Sequence, residues 1–181
     1  MALTQPLITR SIPVEFLTVN HYILGQVTVA NTGLMGVLAD IHTSHVEVHD
    51  ASIARIVKPD KVINYSSYLW LVKKQILAIS VGKREFVGST TLMRGGYTRL
   101  VPYPVQLTSP VYEVTGTLEW AGRFEFPAIM MDGPNPFLAL YDASLTASLF
   151  PAINIQSPAI LFNRTYVDTL ITIKKAGKEG G

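Results

Sequence analysis

Apolar and polar positions alternate along most of this chain, and one alternating run occurs twice. Val46-Glu47-Val48-His49-Asp50-Ala51-Ser52 returns roughly 92 positions later as Leu138-Ala139-Leu140-Tyr141-Asp142-Ala143-Ser144. Each copy carries apolar residues at alternate positions, a ring residue, then Asp-Ala-Ser. Such a run predicts a half-buried strand that stops at a turn, here at Asp50 and at Asp142. The likeness extends outward. Phe16-Leu17-Thr18 aligns with Gln106-Leu107-Thr108, and His21 to Ala30 with Tyr112 to Ala121, so that Gly25 falls on Gly116. Asp40 meets Asp132, Pro59 meets Pro151, and Leu69 to Lys73 meets Ile160 to Arg164. Gly, Asp and Pro favour bends and turns for conformational reasons, so their coincidence says more than shared strand composition would. A period near 90 residues exceeds any solenoid repeat and suits two small domains made by duplication.

The expected elements follow. Residues 1–13 form an extended arm. Val14 to Ala30 makes two strands, or one bent at Asn20 and His21, with a turn at Asn31-Thr32-Gly33. Leu34, Val37 and Leu38 have helical spacing, whereas Pro127 predicts an irregular connection in the second copy. Val46 to His49 and Ala51 to Val57 are strands, and Lys58-Pro59-Asp60 is a turn. Ser67 to Val72 and Gln75 to Val81 read as a closing hairpin around Lys73-Lys74. The first domain is then 14–81 and the second 105–174, ending in a strand from Tyr166 to Ile173. Between them, 82–104 holds four glycines and two prolines and reads as a linker, with one strand near Tyr97 to Val101. Residues 175–181 are polar and Gly-rich, and predict a flexible tail. The fold class is all-β: two tandem, internally duplicated small β-barrels or β-sandwiches.

Composition changes this picture in one respect. Charged residues are 15% and apolar residues 48% of the 181, against a usual charged share of about 25%. So little charge predicts burial against other subunits or partners. The net charge of +2 is too small to imply nucleic acid by itself. No apolar run approaches the length of a membrane-spanning helix, and the first residues lack the pattern of a secretory signal. The absence of cysteine excludes disulfides and thiolate metal sites, and fits a cytoplasmic location.

Candidate chemistry is sparse. On a strand, His45, Glu47 and His49 share one face, and two imidazoles with a carboxylate suit zinc or iron. The competing reading is a solvated face opposite buried Val46 and Val48, since the second copy carries Phe137, Ala139 and Tyr141 there. Lys83, Arg84, Arg94 and Arg99 lie near Tyr97 and Tyr103, a mixture of basic and aromatic residues that binds single-stranded nucleic acid. No phosphate-binding glycine loop, zinc-binding His pair on a helix or nucleophile elbow occurs, so neither an enzyme nor a cofactor is expected.

Three short motifs, Val114-Thr115-Gly116, Tyr141-Asp142-Ala143 and Phe162-Asn163-Arg164, give the chain a family likeness. It resembles a poorly characterised bacterial all-β domain family of unknown function, in tandem copies. The first copy departs from the pattern, with Val72-Lys73 where Asn-Arg would stand. The resemblance implies a fold and supplies no activity. The expected role is a non-catalytic structural or assembly subunit, in a homo-oligomer or larger complex. Contacts are assigned to Phe137, Tyr141, Tyr97, Arg94 and Arg99. The alternative is a nucleic-acid or nucleotide-binding module of small-barrel type.

Overall fold

The computed structural model describes residues 8–88, 99–131 and 135–173. In the first half lie β1 (Arg10–Leu17), β2 (His21–Val29), helix α1 (Gly33–Ala39), β3 (His45–Arg55), β4 (Lys58–Val72) and β5 (Ala78–Val81). The second half holds β6 (Leu100–Thr108), β7 (Tyr112–Ala121), helix α2 (Phe126–Met131), β8 (Phe137–Ala147), β9 (Asn154–Asn163) and β10 (Thr169–Thr172). The protein is all-β. Its strands form a single antiparallel sheet in the order β10-β6-β7-β8-β9-β5-β1-β2-β3-β4, and the sheet is not closed. The halves therefore do not make two separate sheets. β5 of the first half pairs with β9 of the second, Ala78 opposite Phe162 and Val81 opposite Ala159.

Within each half the order is the same: β5-β1-β2-β3-β4 and β10-β6-β7-β8-β9. The same local devices recur. The Thr18 hydroxyl accepts from His21 N at 3.0 Å, and the Ser109 hydroxyl from Tyr112 N at 2.9 Å, each closing the turn after the half's first strand. Short 3-10 turns, Lys73–Gln75 and Arg164–Tyr166, follow the fourth strand of each half. Thr18 and Ser109 are thus equivalent, which moves the first-strand alignment by one residue: Phe16 answers to Leu107, and both are fully buried.

Asp50 and Asp142 do not end strands. Each lies inside a long strand at φ +48° and +47°. There β3 and β8 carry one extra residue against their partners: Leu24 to Gln26 faces Ser52 to His49, and Thr115 to Thr117 faces Ser144 to Tyr141. This is a β-bulge, and Asp tolerates the left-handed conformation better than most residues. Gly25 and Gly116 sit opposite. A Cβ on Gly25 would lie 2.4 Å from Val48 Cγ1, and one on Gly116 3.0 Å from Ala143 Cβ. Glycine thus admits the close approach that the bulge imposes.

Several other expectations are corrected. β1 begins inside the expected arm, because Ile12 is fully buried and continues the alternation. Pro13 is tolerated there since β1 meets β5 only from Val14 onward, so its missing N–H interrupts no bond of that ladder. Pro102 and Pro104 likewise precede the stretch of β6 that pairs with β10, and β6 occupies the end of the expected linker. Pro127 stands second in α2, where a helix leaves its N–H groups unpaired in any case. β4 and β5 make no hairpin: β5 pairs with β1 and β9 instead.

Two apolar cores occupy opposite faces of the sheet. β8 and β9 send Phe137, Ala139, Tyr141, Ala159 and Leu161 into the first, and Leu138, Leu140, Ile160 and Phe162 into the second. Successive side chains on a strand point to opposite faces, so these strands are buried on both. The first core also takes Phe16 of β1, Val48 of β3 and Leu34 of α1, and the second Tyr112 and Trp120 of β7.

Candidate interaction surface

Among the described residues the sheet has two free edges, β4 and β10. A free edge leaves backbone donors and acceptors unpaired on one side, and proteins commonly blunt it with charge or proline. Here the blunting is partial: β4 opens on Lys58-Pro59-Asp60-Lys61, and β10 is only 4 residues long. β4 is 15 residues long, and from Val62 to Val72 it contains neither charge nor proline. β10 and Ile173 beyond it, Thr-Leu-Ile-Thr-Ile, have neither as well. Among the large apolar side chains left exposed, Ile63, Tyr65, Trp70 and Val72 belong to β4, and Ile171 and Ile173 to β10 and its end. Trp70 is 61% exposed and Ile171 53%.

Beside the β4 edge lies the outer face of β3. Val46 and Val48 turn inward and are fully buried, which leaves His45, Glu47 and His49 outward. Cross-strand pairs extend this face onto β4: His45 with Val72, Glu47 with Trp70, His49 with Tyr68. The rings stack edge to face, His49 on Tyr68 at 5.0 Å and Tyr68 on Trp70 at 4.6 Å. A hydrogen bond to Glu47 raises the Tyr68 phenol above its usual pKa, because the carboxylate favours the protonated donor. A cavity of about 170 Å³ opens beside His45, Glu47 and His49, floored by Val27 and Val37. Among the described residues no group of three His, Asp or Glu side chains could hold a metal ion.

The same face in the second half is covered. Phe137, Ala139 and Tyr141 stand where His45, Glu47 and His49 stand, and all three are buried in the first core. The neighbour that Phe137 and Tyr141 touch is thus the other half of their own chain. Arg84 closes over this junction: its guanidinium lies 3.8 Å from the centre of the Tyr141 ring and pairs with Glu119. That hydrogen bond to Glu119 raises the guanidinium's already high pKa. Tyr103 donates its hydroxyl to Gly122 O at 2.6 Å. Lys83 and Arg99 are exposed. Arg94 and Tyr97 lie outside the described residues. Of the described members of this group, Arg84 pairs with Glu119 and lies on the Tyr141 ring, and Tyr103 bonds to Gly122.

Lys73 and Arg164 hold equivalent places, each buried after the fourth strand of its half. The Lys73 ammonium donates to Asp40 O at 2.8 Å and to Thr43 Oγ1 at 2.9 Å, and Arg164 donates to Ile129 O at 3.1 Å. Each ties the sheet to the segment carrying that half's helix. Burial lowers the Lys73 pKa, an effect partly offset by Asp40. A second cavity, about 440 Å³, lies where the halves meet, lined in part by Glu15, Gln26, Asp50 and Gln156.

The β4 and β10 edges were absent from the sequence-based site. The signal that marks them is the missing charge in 62–72 and 169–173, read together with the strand order that puts both at the rim. No protein-family model matches the chain, nor does any curated protein or solved structure.

Proposed function

We propose that the chain is a non-catalytic structural subunit, two tandem copies of one β-unit that assembles with further protein through its sheet edges. The single observation that carries this is the pair of edge strands, β4 uncharged from Val62 to Val72 and the four-residue β10, with Trp70 and Ile171 exposed on them. Duplication is supported by the identical strand order of the halves and by the shared bulge, Asp50 opposite Gly25 and Asp142 opposite Gly116. Two unrelated stretches would have no reason to repeat a left-handed Asp against a strand Gly.

Size-exclusion chromatography with light scattering tests the assembly reading. The expected species is larger than the 19.9 kDa chain. A monodisperse monomer across a hundredfold range of concentration would refute homo-oligomer formation. The nucleic-acid reading draws less support, because Arg84 is occupied by Glu119 and Tyr141.

A further inference from the structure

We infer that copies of this chain join head to tail, β10 of one pairing antiparallel with β4 of the next, in the register of the chain's own β5–β9 junction. The inference rests on the assembly reading above and names its partner and geometry. β5 is the outermost strand of the first half and β9 the outermost of the second; β10 and β4 are their respective equivalents. One junction between units is therefore already formed inside the chain. Its two surfaces are each presented once more at the sheet's ends, unpartnered among the described residues.

The equivalence is residue for residue. Thr18 and Ser109 differ by 91, as do Lys73 and Arg164, so Ala78 to Val81 corresponds to Thr169 to Thr172, and Ala159 to Phe162 to Tyr68 to Leu71. The internal pairs Ala78–Phe162, Ile79–Leu161, Ser80–Ile160 and Val81–Ala159 then become Thr169–Leu71, Leu170–Trp70, Ile171–Leu69 and Thr172–Tyr68 between copies. At the internal junction no member of these pairs is more than 5% exposed. Pairing would bring Trp70 beside Leu170 on one face, and Ile171 beside Leu69 on the other.

A side chain already stands ready at the free edge. In the internal junction the Ser157 hydroxyl lies 2.9 Å from Ala159 O on its own strand and 2.9 Å from Val81 O on β5. Its equivalent, Ser66, makes the own-strand contact, to Tyr68 O at 2.6 Å. The partner corresponding to Val81 is Thr172, at the far edge of the sheet, so only another copy can bring it there.

The contact differs from its template in its paired side chains and in the face that flanks it. The face beside β4 is His45-Glu47-His49 rather than Phe137-Ala139-Tyr141, so the joint between copies is more polar and separable. It is also heterologous, two different surfaces meeting, so it generates a ring or an open filament rather than a two-fold dimer.

The chain contains no cysteine, which makes cross-linking clean. Asn163 N donates to Leu77 O, so the hydrogen-bonded positions of the junction are 77/163 and 79/161, and 80/160 is a non-hydrogen-bonded pair. Its counterpart, Ile171 opposite Leu69, is thus a close pair, with Cα atoms about 4.5 Å apart, within disulfide reach. Full-length I171C and L69C chains are mixed under mild oxidation. A disulfide-linked dimer in the mixture, absent from either chain alone and from I171C mixed with Y65C, is the expected result. W70K, changed at an exposed position, should lower the light-scattering mass to that of one chain with an unaltered circular dichroism spectrum. An assembly that forms without the 171–69 bridge and survives W70K overturns the head-to-tail joint and leaves the assembly reading standing. A bridge within L69C alone also overturns it, in favour of β4 meeting β4. A wild-type chain that stays monomeric overturns both.

Discussion

The Gly25 contact allows a magnitude to be worked from the structure. In Gly25→Ala the new Cβ falls 2.4 Å from Val48 Cγ1 and 3.0 Å from His49 O. Carbon atoms pack best at about 3.5–4.0 Å, so the overlap with Val48 is about 1 Å. Val48 is fully buried and β-branched, and its χ1 has few alternatives. Overpacking of this kind costs about 1–3 kcal/mol. The backbone entropy removed from the unfolded chain returns about 0.4–1 kcal/mol. The net loss expected is about 1–2 kcal/mol, which for a chain of this length lowers Tm by about 3–6 °C. Gly116→Ala meets Ala143 Cβ at 3.0 Å and Tyr141 O at 3.1 Å. It needs only a small relaxation, so it should cost less than its counterpart. Val48→Ala removes the clashing methyl at its own cost of about 2 kcal/mol. In that background Gly25→Ala should be near neutral, a coupling of about 1–2 kcal/mol in a double-mutant cycle. Urea unfolding of the four proteins reads these values directly, provided m is unchanged. An equal cost in both backgrounds, or a Gly25→Ala protein as stable as the parent, would show that close approach to Val48 is not why glycine stands there.

Three further expectations follow from named contacts. At the left-handed positions Asp142→Gly should be within about 0.5 kcal/mol of the parent or slightly more stable, whereas Asp142→Val should lose at least about 1–2 kcal/mol, by the same urea assay. Lys73→Ala leaves Asp40 O and Thr43 Oγ1 without their donor and should cost about 1–3 kcal/mol; Lys73→Arg, which copies the second half, should recover part of it. The Asp40 carboxyl is held below its usual pKa, first by the His42 N–H and then by Lys73. A folded-state pKa below the unfolded one contributes stability that is present above the ordinary aspartate range and lost as pH falls through the folded value. Acid titration of Asp40→Asn should therefore show a shallower loss of stability below about pH 4 than the parent.

The strands were legible because they rest on a local signal, alternation, and the recurring Gly and Asp marked positions that the structure places alike in the two halves. The roles of those two residues were only partly legible. Asp50 looked like a turn because Asp favours turns, and the left-handed conformation that suits a turn also suits a bulge. Only the pairing with β2 decides between them, and pairing is not local. The hairpin expected around Lys73-Lys74 failed for the same reason. A 3-10 turn there carries the chain past β4, and β5 finds β1, which is distant in sequence. α2 was missed because proline was read as a breaker without regard to its place in the first turn. Phe137 to Tyr141 was read as a half-buried strand whose Phe137-Ala139-Tyr141 face meets a neighbour and is the more buried of the two copies; what was missed is that the neighbour is the first half of the same chain. Phe-Leu-Ala-Leu-Tyr is apolar at every position, which is the signature of a strand covered on both sides, and the structure covers it so.

That correction bears on the low charge, which first suggested burial against other subunits. Part of the apolar excess is used within the chain. β5, β8 and β9 need no polar face over most of their length, because the first half packs on one side of the sheet and the second on the other. A sparsely charged chain is therefore not by itself evidence of assembly. The two halves have the same strand order and comparable strands, yet their matching surfaces differ in exposure. Leu161 is fully buried where Trp70 is 61% exposed, and Ser80 is 5% exposed where Ile171 is 53%. Had the second half been adapted to end the sheet, β10 would be expected to carry the charge or proline that blunts free edges; it carries Ile171 and two threonines. Had the first half been adapted likewise, β4 would not run from Val62 to Val72 without a charge. His45, Glu47 and His49 fall on the face beside the edge, and the charges of β4 itself, Lys58, Asp60 and Lys61, lie at its start, away from Tyr68 to Leu71. A free edge without charge is open to pairing by its backbone groups, and the proposed joint between β10 and β4 would use the apolar stretches of both.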